Sequence, residues 1–291
     1  MIDKVVRTVV SPLSMRARID VVKRYHLARR GRYLTYREKL LENEFEGMRD
    51  NSLLNDSWGV DTSGQLPFLW GAIEGAKEVL KVSDSVNARK GYLQNFLSID
   101  NLKRYPVFLE FASSAEIVSV VASYLNFFPV LSSIEIWRSE AATDEVAKGS
   151  QKFHLDNVDI NQVKVFVNID SVDDSNGPLH FYGAEDSKRI SEATKYGSVK
   201  GVHRLEDEEV YTAVNGKNAL TNIGPSGTVA FVDTCNCFHF GSRTRARPRT
   251  VLMLQYASPC RADFRPRPLD PLGVNFSDRL KNLLMNPKCL A

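Results

Sequence analysis

The chain has 291 residues, 43% of them hydrophobic, enough apolar material for a substantial buried core and unlike the composition of a disordered chain. Its 38 basic and 35 acidic residues leave a formal net charge of +3, too balanced for a nucleic-acid-binding field over the whole molecule. Cys235, Cys237, Cys260 and Cys289 form no secreted disulfide framework, Met1 to Met15 lack a signal-like apolar run, and no stretch approaches a membrane span. A reducing cytoplasm is the simplest compartment. With no linker, repeat or low-complexity run, a single domain over residues 1–291 is expected: a mainly helical region 1–130, a strand-rich core 131–262 with a lid-like insertion over 183–222, and a tail 263–291.

Ser14 to Met48 mixes basic and apolar residues in a helical manner, with an interruption expected near Gly31. Seven side chains between Arg16 and Arg32 are basic, which suits either a solvated helical face or a surface for an anionic substrate, partner or membrane. His26 in this run reads as a surface or capping residue. Asn51 to Gln65 is polar and loop-like, and Leu66-Pro67-Phe68-Leu69-Trp70 leads into a helix through Leu80. Ile117, Val118, Val120, Val121 and Tyr124 mark another helix, from about Ser113 to Leu125.

The β-branched alternation of Ser132 to Arg138 predicts a strand, in which Trp137 either lines a cavity or packs in the core. The polar stretch Ser139 to Lys152 is a loop placed to gate a site. Gln162 to Asp170 is a strand with Val163, Val165, Val167 and Ile169 on one face and Lys164, Phe166 and Asn168 on the other. If that second face looks into a barrel, Lys164 and Asn168 need polar partners there and are candidate cosubstrate or substrate contacts; if it is exposed, both are ordinary surface residues. Asn176-Gly177 suits a hairpin turn, and His180 reads as a supporting or core histidine. Within the insertion, His203 to Glu209 suggests a short charged helix over a cavity mouth, where loop variation hides the substrate's identity.

The chemistry lies in His154-Leu155-Asp156. Alternate strand residues share a face, so this spacing sets an imidazole beside a carboxylate, and His239 supplies a second imidazole. Two histidines and one carboxylate leave open positions of the kind non-heme Fe(II) uses to bind an oxo-acid and O2, whereas structural zinc fills its shell with protein ligands. A planar guanidinium suits the far carboxylate of 2-oxoglutarate, and Arg249, at the head of the strand-like run Thr250 to Tyr256, is the natural anchor. Arg243, Arg245 and Arg247 fall in a polar, proline-containing connection and read as a solvated loop, with Arg247 the second choice. A rival zinc site would use Asp233, Cys235, Cys237 and His239 on one face of an unbroken strand, but it leaves His154, Asp156 and Arg249 unexplained.

From about Leu131 to Pro259 these motifs recur in an ordered set: His154-Leu155-Asp156; Ile169-Asp170 through Asn176-Gly177-Pro178-Leu179; Gly224-Pro225-Ser226-Gly227-Thr228-Val229 leading to Phe231-Val232-Asp233; His239-Phe240-Gly241-Ser242; and Arg249 with Gln255-Tyr256-Ala257-Ser258-Pro259. The set resembles the phytanoyl-CoA dioxygenase family. The resemblance implies a mostly β chain with flanking helices (α+β) around a double-stranded β-helix, or jelly-roll, cupin-like core. It implies Fe(II) on His154, Asp156 and His239, 2-oxoglutarate on Arg249 with help from Ser242, and O2 as the second cosubstrate. Ser242 stands further from the distal histidine than the hydroxyl residue often found in the family. Trp137 and Arg138, on the strand beside the metal strand, and Phe166 are the implied substrate contacts. The implied reaction hydroxylates an unactivated C–H bond of a small molecule and releases succinate and CO2; Asp156 favours this over halogenation, where a small residue replaces the carboxylate. The substrate could be anionic or carrier-bound, and no nucleic acid is expected. The alternative is a cupin-like non-redox metal enzyme or a small-molecule binding module, with Arg249 as the discriminator.

Overall fold

A computed structural model describes residues 2–90, 92–141, 146–198, 203–244, 246–263, 265, 267–273 and 276–290. The first part of the chain holds helices α1 (Ile2–Val10) and α2 (Met15–Asn43), strand β1 (Trp58–Asp61), α3 (Leu69–Val82), β2 (Asn87–Lys90), β3 (Leu93–Asn95), and α4 (Ile99–Arg104), α5 (Val107–Ala112) and α6 (Ala115–Leu125). Then come β4 (Val130–Ser139), β5 (Val163–Asn168), β6 (His180–Phe181), α7 (Ala184–Ala193), α8 (Asp207–Ala213), β7 (Leu220–Thr221), β8 (Val229–Val232), β9 (His239–Phe240), β10 (Arg249–Ala257) and α9 (Arg279–Met285).

One antiparallel sheet has the order β1-β8-β5-β10-β4-β3-β2, and a smaller one the order β7-β6-β9, which His154 extends by an isolated bridge to His239. From β4 onward the chain therefore passes from large sheet to small, back to large at β5, through β6 and β7 in the small sheet, and by β8, β9 and β10 alternates again. Two facing sheets wound in this way are a double-stranded β-helix, the expected core.

The period of two decides where the apolar mass goes. Val163, Val165 and Val167 of β5, Ile134 and Ile136 of β4, and Leu252 and Leu254 of β10 face outward from the barrel and share one core with Ile73, Phe108, Phe111 and Val121 of the helices. Each such fully buried side chain contributes roughly 1.5–3 kcal/mol, so the helical layer is fastened along the whole back of the large sheet. The opposite faces, with Phe166, Val251 and Met253, turn into the space between the two sheets.

Several local expectations are corrected. Helix α2 runs past Gly31 without a break, because Val22, His26, Leu40 and Leu41 are buried along it and their packing offsets the roughly 1 kcal/mol that a mid-helix glycine costs. His26 is no surface residue: it is 2% exposed, with Nε2 3.1 Å from the Asp263 carbonyl, since chain beyond β10 covers that face of α2. The polar stretch 51–65 contains β1, whose Trp58 to Asp61 pair with Val232 to Val229 at the sheet edge. The insertion holds α7 as well as the short charged helix α8. Asn176-Gly177 closes a short 3-10 turn, capped by Asp173, instead of a two-residue hairpin. Expectations on 142–145, 199–202 and Arg245 lie outside the described residues. No helix among the described residues is long and apolar enough to cross a membrane.

Arg37 of α2 is fully buried and donates from Nη1 to the carbonyls of Phe128 (3.2 Å) and Pro129 (2.9 Å) and from Nη2 to those of Leu283 and Asn286 (both 2.6 Å). It ties the entry to β4 and the end of α9 to one helix, and burial brings its pKa down to about 10. Arg37→Met is expected to cost about 3 kcal/mol or more, because three buried carbonyls and a partly buried one lose their donor together. Calorimetric unfolding checks this; a loss under about 1 kcal/mol would mean that water reaches those carbonyls.

Candidate metal centre and its cavity

His154 and His239 sit opposite one another on antiparallel backbone, each amide donating to the other's carbonyl at 3.1 Å. That pairing sets the imidazoles side by side, with ring centroids 4.3 Å apart. Each ring is oriented from behind: Nδ1 lies 2.9 Å from the carbonyl two residues earlier, Lys152 for His154 and Cys237 for His239. A carbonyl only accepts, so both Nδ1 atoms carry the proton and both Nε2 lone pairs point forward.

Asp156 completes the group, its Oδ1 4.0 Å from His154 Nε2 and its Oδ2 4.0 Å from His239 Nε2. One donor atom from each residue lies within 4.8 Å of the others, and among the described residues this is the one such cluster of His, Cys, Asp or Glu. The Asp156 amide donates to Thr234 carbonyl at 2.8 Å, which fixes the backbone, while Lys164 Nζ (2.7 Å) and Gln162 Nε2 (3.0 Å) hold Oδ2. Gln162 is itself held by Thr234 Oγ1 (2.7 Å) and by Gln255, which donates to it at 3.0 Å.

Charge states follow. Burial, then the neighbouring imidazole, pushes His154 well below its ordinary pKa, and burial lowers His239 as well. Burial works to raise Asp156, but Lys164 and the two histidines prevail and hold it well below the usual carboxylate range. Burial opposes the charge on Lys164, and Asp156 more than restores it. Two neutral imidazoles and an ionised carboxylate are the forms a metal requires.

The cluster opens on a cavity of about 570 Å³ between the sheets, whose floor is the inner face of β4, β10 and β5. Trp137, Lys164, Phe166, Ser242 and Arg249 line it. Arg249 is 8% exposed, its side chain makes no hydrogen bond or ion pair with any described residue, and burial alone lowers its pKa to about 10. A Cβ on Gly241 would come within 3.3 Å of Arg249 Nη2, so that glycine makes room for the guanidinium. Of the other candidate anchors, Arg243 grips Asp207 at 2.6 and 2.7 Å, and Arg247 pairs with Asp173 on the surface. Ser242 has a left-handed backbone (φ 64°), and its Oγ accepts from Ser139 Oγ at 2.8 Å, which leaves its own proton for another partner.

Two expected contacts are not brought to the cavity wall. Arg138 lies on the outward parity of β4 and pairs with Glu140 at 2.7 Å, because the residues that face the cavity are its neighbours Glu135 and Trp137. Asn168 is buried beyond the wall, its carbonyl 3.4 Å from the Asn222 amide. The zinc arrangement also fails: β8 ends at Val232, and Asp233 to Cys237 form a turn closed by Asp233 carbonyl accepting from Asn236 (3.0 Å) and Cys237 (2.8 Å). Cys235 and Cys237 do not line this cavity, and His180 stacks on Phe240 at 4.5 Å instead of reaching the metal group.

Sequence reasoning missed Glu135, Gln162 and Gln255. Glu135 and Gln255 share strand parity with Trp137 and Arg249, and Gln162 with Lys164, so alternation could have found all three. At the mouth, α2 contributes Met15 and Arg18, and the insertion His203 and Arg204. Part of the basic run of α2 is therefore neither a solvated face nor a partner surface: Arg18 lines the cavity and Lys23 pairs with Asp159 at 2.6 Å.

Gly177 supports this end of the barrel. Its φ is 65°, and a Cβ there would lie 2.5 Å from Arg243 and Thr244 backbone atoms, in the segment that carries Ser242. Gly177→Ala is expected to cost about 1–3 kcal/mol in strain and to displace that segment, checked by thermal melting.

A double-stranded β-helix that presents two histidines and a carboxylate inside its barrel defines a cupin-like protein with a candidate metal centre. No protein-family profile matches this sequence, and neither does any curated protein. Among solved structures, HygX from Streptomyces hygroscopicus with nickel, 2-oxoglutarate and hygromycin B is similar at 14% identity over 69% of this chain and 82% of that one, with a TM-score of 0.47. EctD from S. alaskensis with 2-oxoglutarate and 5-hydroxyectoine gives 15% identity over 80% and 85%, TM-score 0.49. The epimerase SnoN, in complex with Fe3+, alpha ketoglutarate and nogalamycin RO, gives 12% over 77% and 87%, TM-score 0.49. These are distant likenesses of the chain trace, and they carry no chemistry to this protein.

Proposed function

We propose that the protein is an Fe(II)- and 2-oxoglutarate-dependent oxygenase, of the phytanoyl-CoA dioxygenase family, that hydroxylates a C–H bond of a small molecule. The observation that carries this reading is Arg249: a buried guanidinium without an anion, opening on the same cavity as His154, Asp156 and His239. A buried cation left unpaired costs stability, and its planar fork of donors suits a carboxylate. The donor set fits ferrous iron, since three ligands from nitrogen and oxygen leave positions open for a chelating oxo-acid.

His154, Asp156 and His239 would hold the metal, Arg249 would take the far carboxylate of 2-oxoglutarate, and the free Ser242 proton would assist it. When bound, iron and the oxo-acid supply the oxidation, with succinate and CO2 released and one atom of O2 entering the substrate. The chain's own part is geometry and exclusion of water. Lys164 and Gln162 hold one oxygen of Asp156 and so set the direction of the other. Phe166, Val251 and Met253 keep the cavity floor apolar beneath the reacting groups. A cytoplasmic setting would supply the oxo-acid and keep iron ferrous.

The test is an anaerobic titration of metal-free protein with Fe(II) and then 2-oxoglutarate, reading the visible charge-transfer band of a chelated oxo-acid. Its appearance in the parent, with none in His154→Ala, supports the reading. Bound iron without the band rejects it and leaves the non-redox metal enzyme or binding module.

A further inference from the structure

The cavity has two chemical ends. Strand registers place them: across the sheet, Ser139 pairs with Arg249, Trp137 with Val251, Glu135 with Met253 and Ser133 with Gln255, and on the other side of β10 Phe166 faces Met253 and Lys164 faces Gln255. Glu135 thus stands four residues along the sheet from the Arg249 row, about 13 Å at strand rise. It lines the cavity and keeps part of its surface open to it.

Its hydrogen bonding is one-sided. Oε2 accepts from Trp137 Nε1 at 3.3 Å and Ser133 Oγ at 3.4 Å, both long, while Oε1 accepts nothing from the described residues. The charged group acting on it is Lys164, whose Nζ is engaged with Asp156 at 2.7 Å and makes no ion pair with Glu135. Burial pushes the Glu135 pKa up. With Met253 and Phe166 across the strands and Trp137 beside it, an apolar side chain would pack here at lower cost than an acid. A carboxylate is also the wrong group to meet a dianionic oxo-acid.

We infer that Glu135 selects the substrate, and that the substrate presents a hydrogen-bond donor, an amine or hydroxyl, to Oε1 inside the barrel. Assigning this end to the substrate rests on the reading that places the oxo-acid at Arg249. A donor bound to a partly buried carboxylate inside a cavity typically contributes enough to separate it from a donor-free analogue by about tenfold.

Three probes of nearly equal size test this: hexylamine, 1-hexanol and its isomer 1-methoxypentane, which accepts hydrogen bonds but donates none. Each is titrated calorimetrically into the metal-free protein and into the anaerobic protein loaded with Fe(II) and 2-oxoglutarate. The parent is expected to bind the amine and the alcohol about tenfold or more tighter than the ether. Glu135→Leu is expected to narrow the gap to about threefold or less while melting no lower than the parent, and Glu135→Gln to keep the alcohol's advantage and lose the amine's. Equal binding of ether and alcohol by the parent, an undiminished gap in Glu135→Leu, no binding of any probe, or a lower melting temperature for Glu135→Leu would each overturn the inference. The metal-free arm needs neither iron nor oxo-acid, so a missing charge-transfer band with the donor preference intact would reject the oxygenase and leave the role of Glu135 as a donor-selecting group standing.

Discussion

Arg249→Leu is expected to abolish the response to 2-oxoglutarate while leaving the ligand-free protein as stable as the parent or more so. The two effects have one cause. In the absence of an anion the guanidinium is buried with Nε unsatisfied, so an apolar side chain removes a desolvated charge and leaves no partner behind. With the oxo-acid bound, the same guanidinium forms a charge-assisted pair whose loss costs about 3 kcal/mol, raising the concentration needed for half-occupancy about 100-fold or more. Thermal melts with and without 2-oxoglutarate separate the two effects. At 100 times its dissociation constant the ligand should stabilise the iron-loaded parent by about 2.7 kcal/mol, and the variant at that concentration by much less. Equal stabilisation of both proteins would show that Arg249 is not the anchor.

Asp156→Ala should be the most damaging single change at the metal centre, because it removes a ligand and also strips Lys164 of its counter-ion. Iron affinity is expected to fall about 100-fold or more, beyond what loss of a supporting contact costs. Stability should fall by about 3–5 kcal/mol, since a lysine buried at the cavity floor is left unpaired. His154→Ala removes a ligand without orphaning a charge, so it should match the loss of iron binding at a smaller cost in stability. Adding Lys164→Met to Asp156→Ala should then restore much of the stability and none of the iron affinity. A double-mutant cycle read by calorimetry and metal titration decides this, and additive stability losses would argue against the ion pair.

Local pattern was sufficient for part of the molecule. The spacing of His154 and Asp156 puts their side chains on one face wherever the backbone is extended, and the alternation in 163–169 separates the core valines from Lys164 and Phe166 in the same way. The barrel architecture was legible only as what the resemblance of the ordered motifs implies, since β6, β7 and β9 are two residues long and have no period of their own to read. Arg138 shows the limit of such reading: the resemblance implies it as a contact together with Trp137, on a strand beside the metal strand, although neighbours on a strand point to opposite faces and Arg138 pairs with Glu140.

Long-range pairing decided the rest. That Arg249 and neither Arg243 nor Arg247 meets the cavity depends on which carboxylates lie nearby, and Asp207 and Asp173 come from distant segments. His26 and Arg37 look like members of a basic helical face until the chain after β10 and the end of α9 close over them. The line of contacts from Gln255 through Gln162 to Asp156 joins β10 to the segment before β5, and Glu135 acquires its open oxygen only when two sheets enclose it. A side chain's periodicity is set by its own backbone dihedrals and so is written locally. Its desolvation and its partners are set by segments a hundred residues away, and those two quantities turn a histidine, an arginine or a glutamate into part of a site.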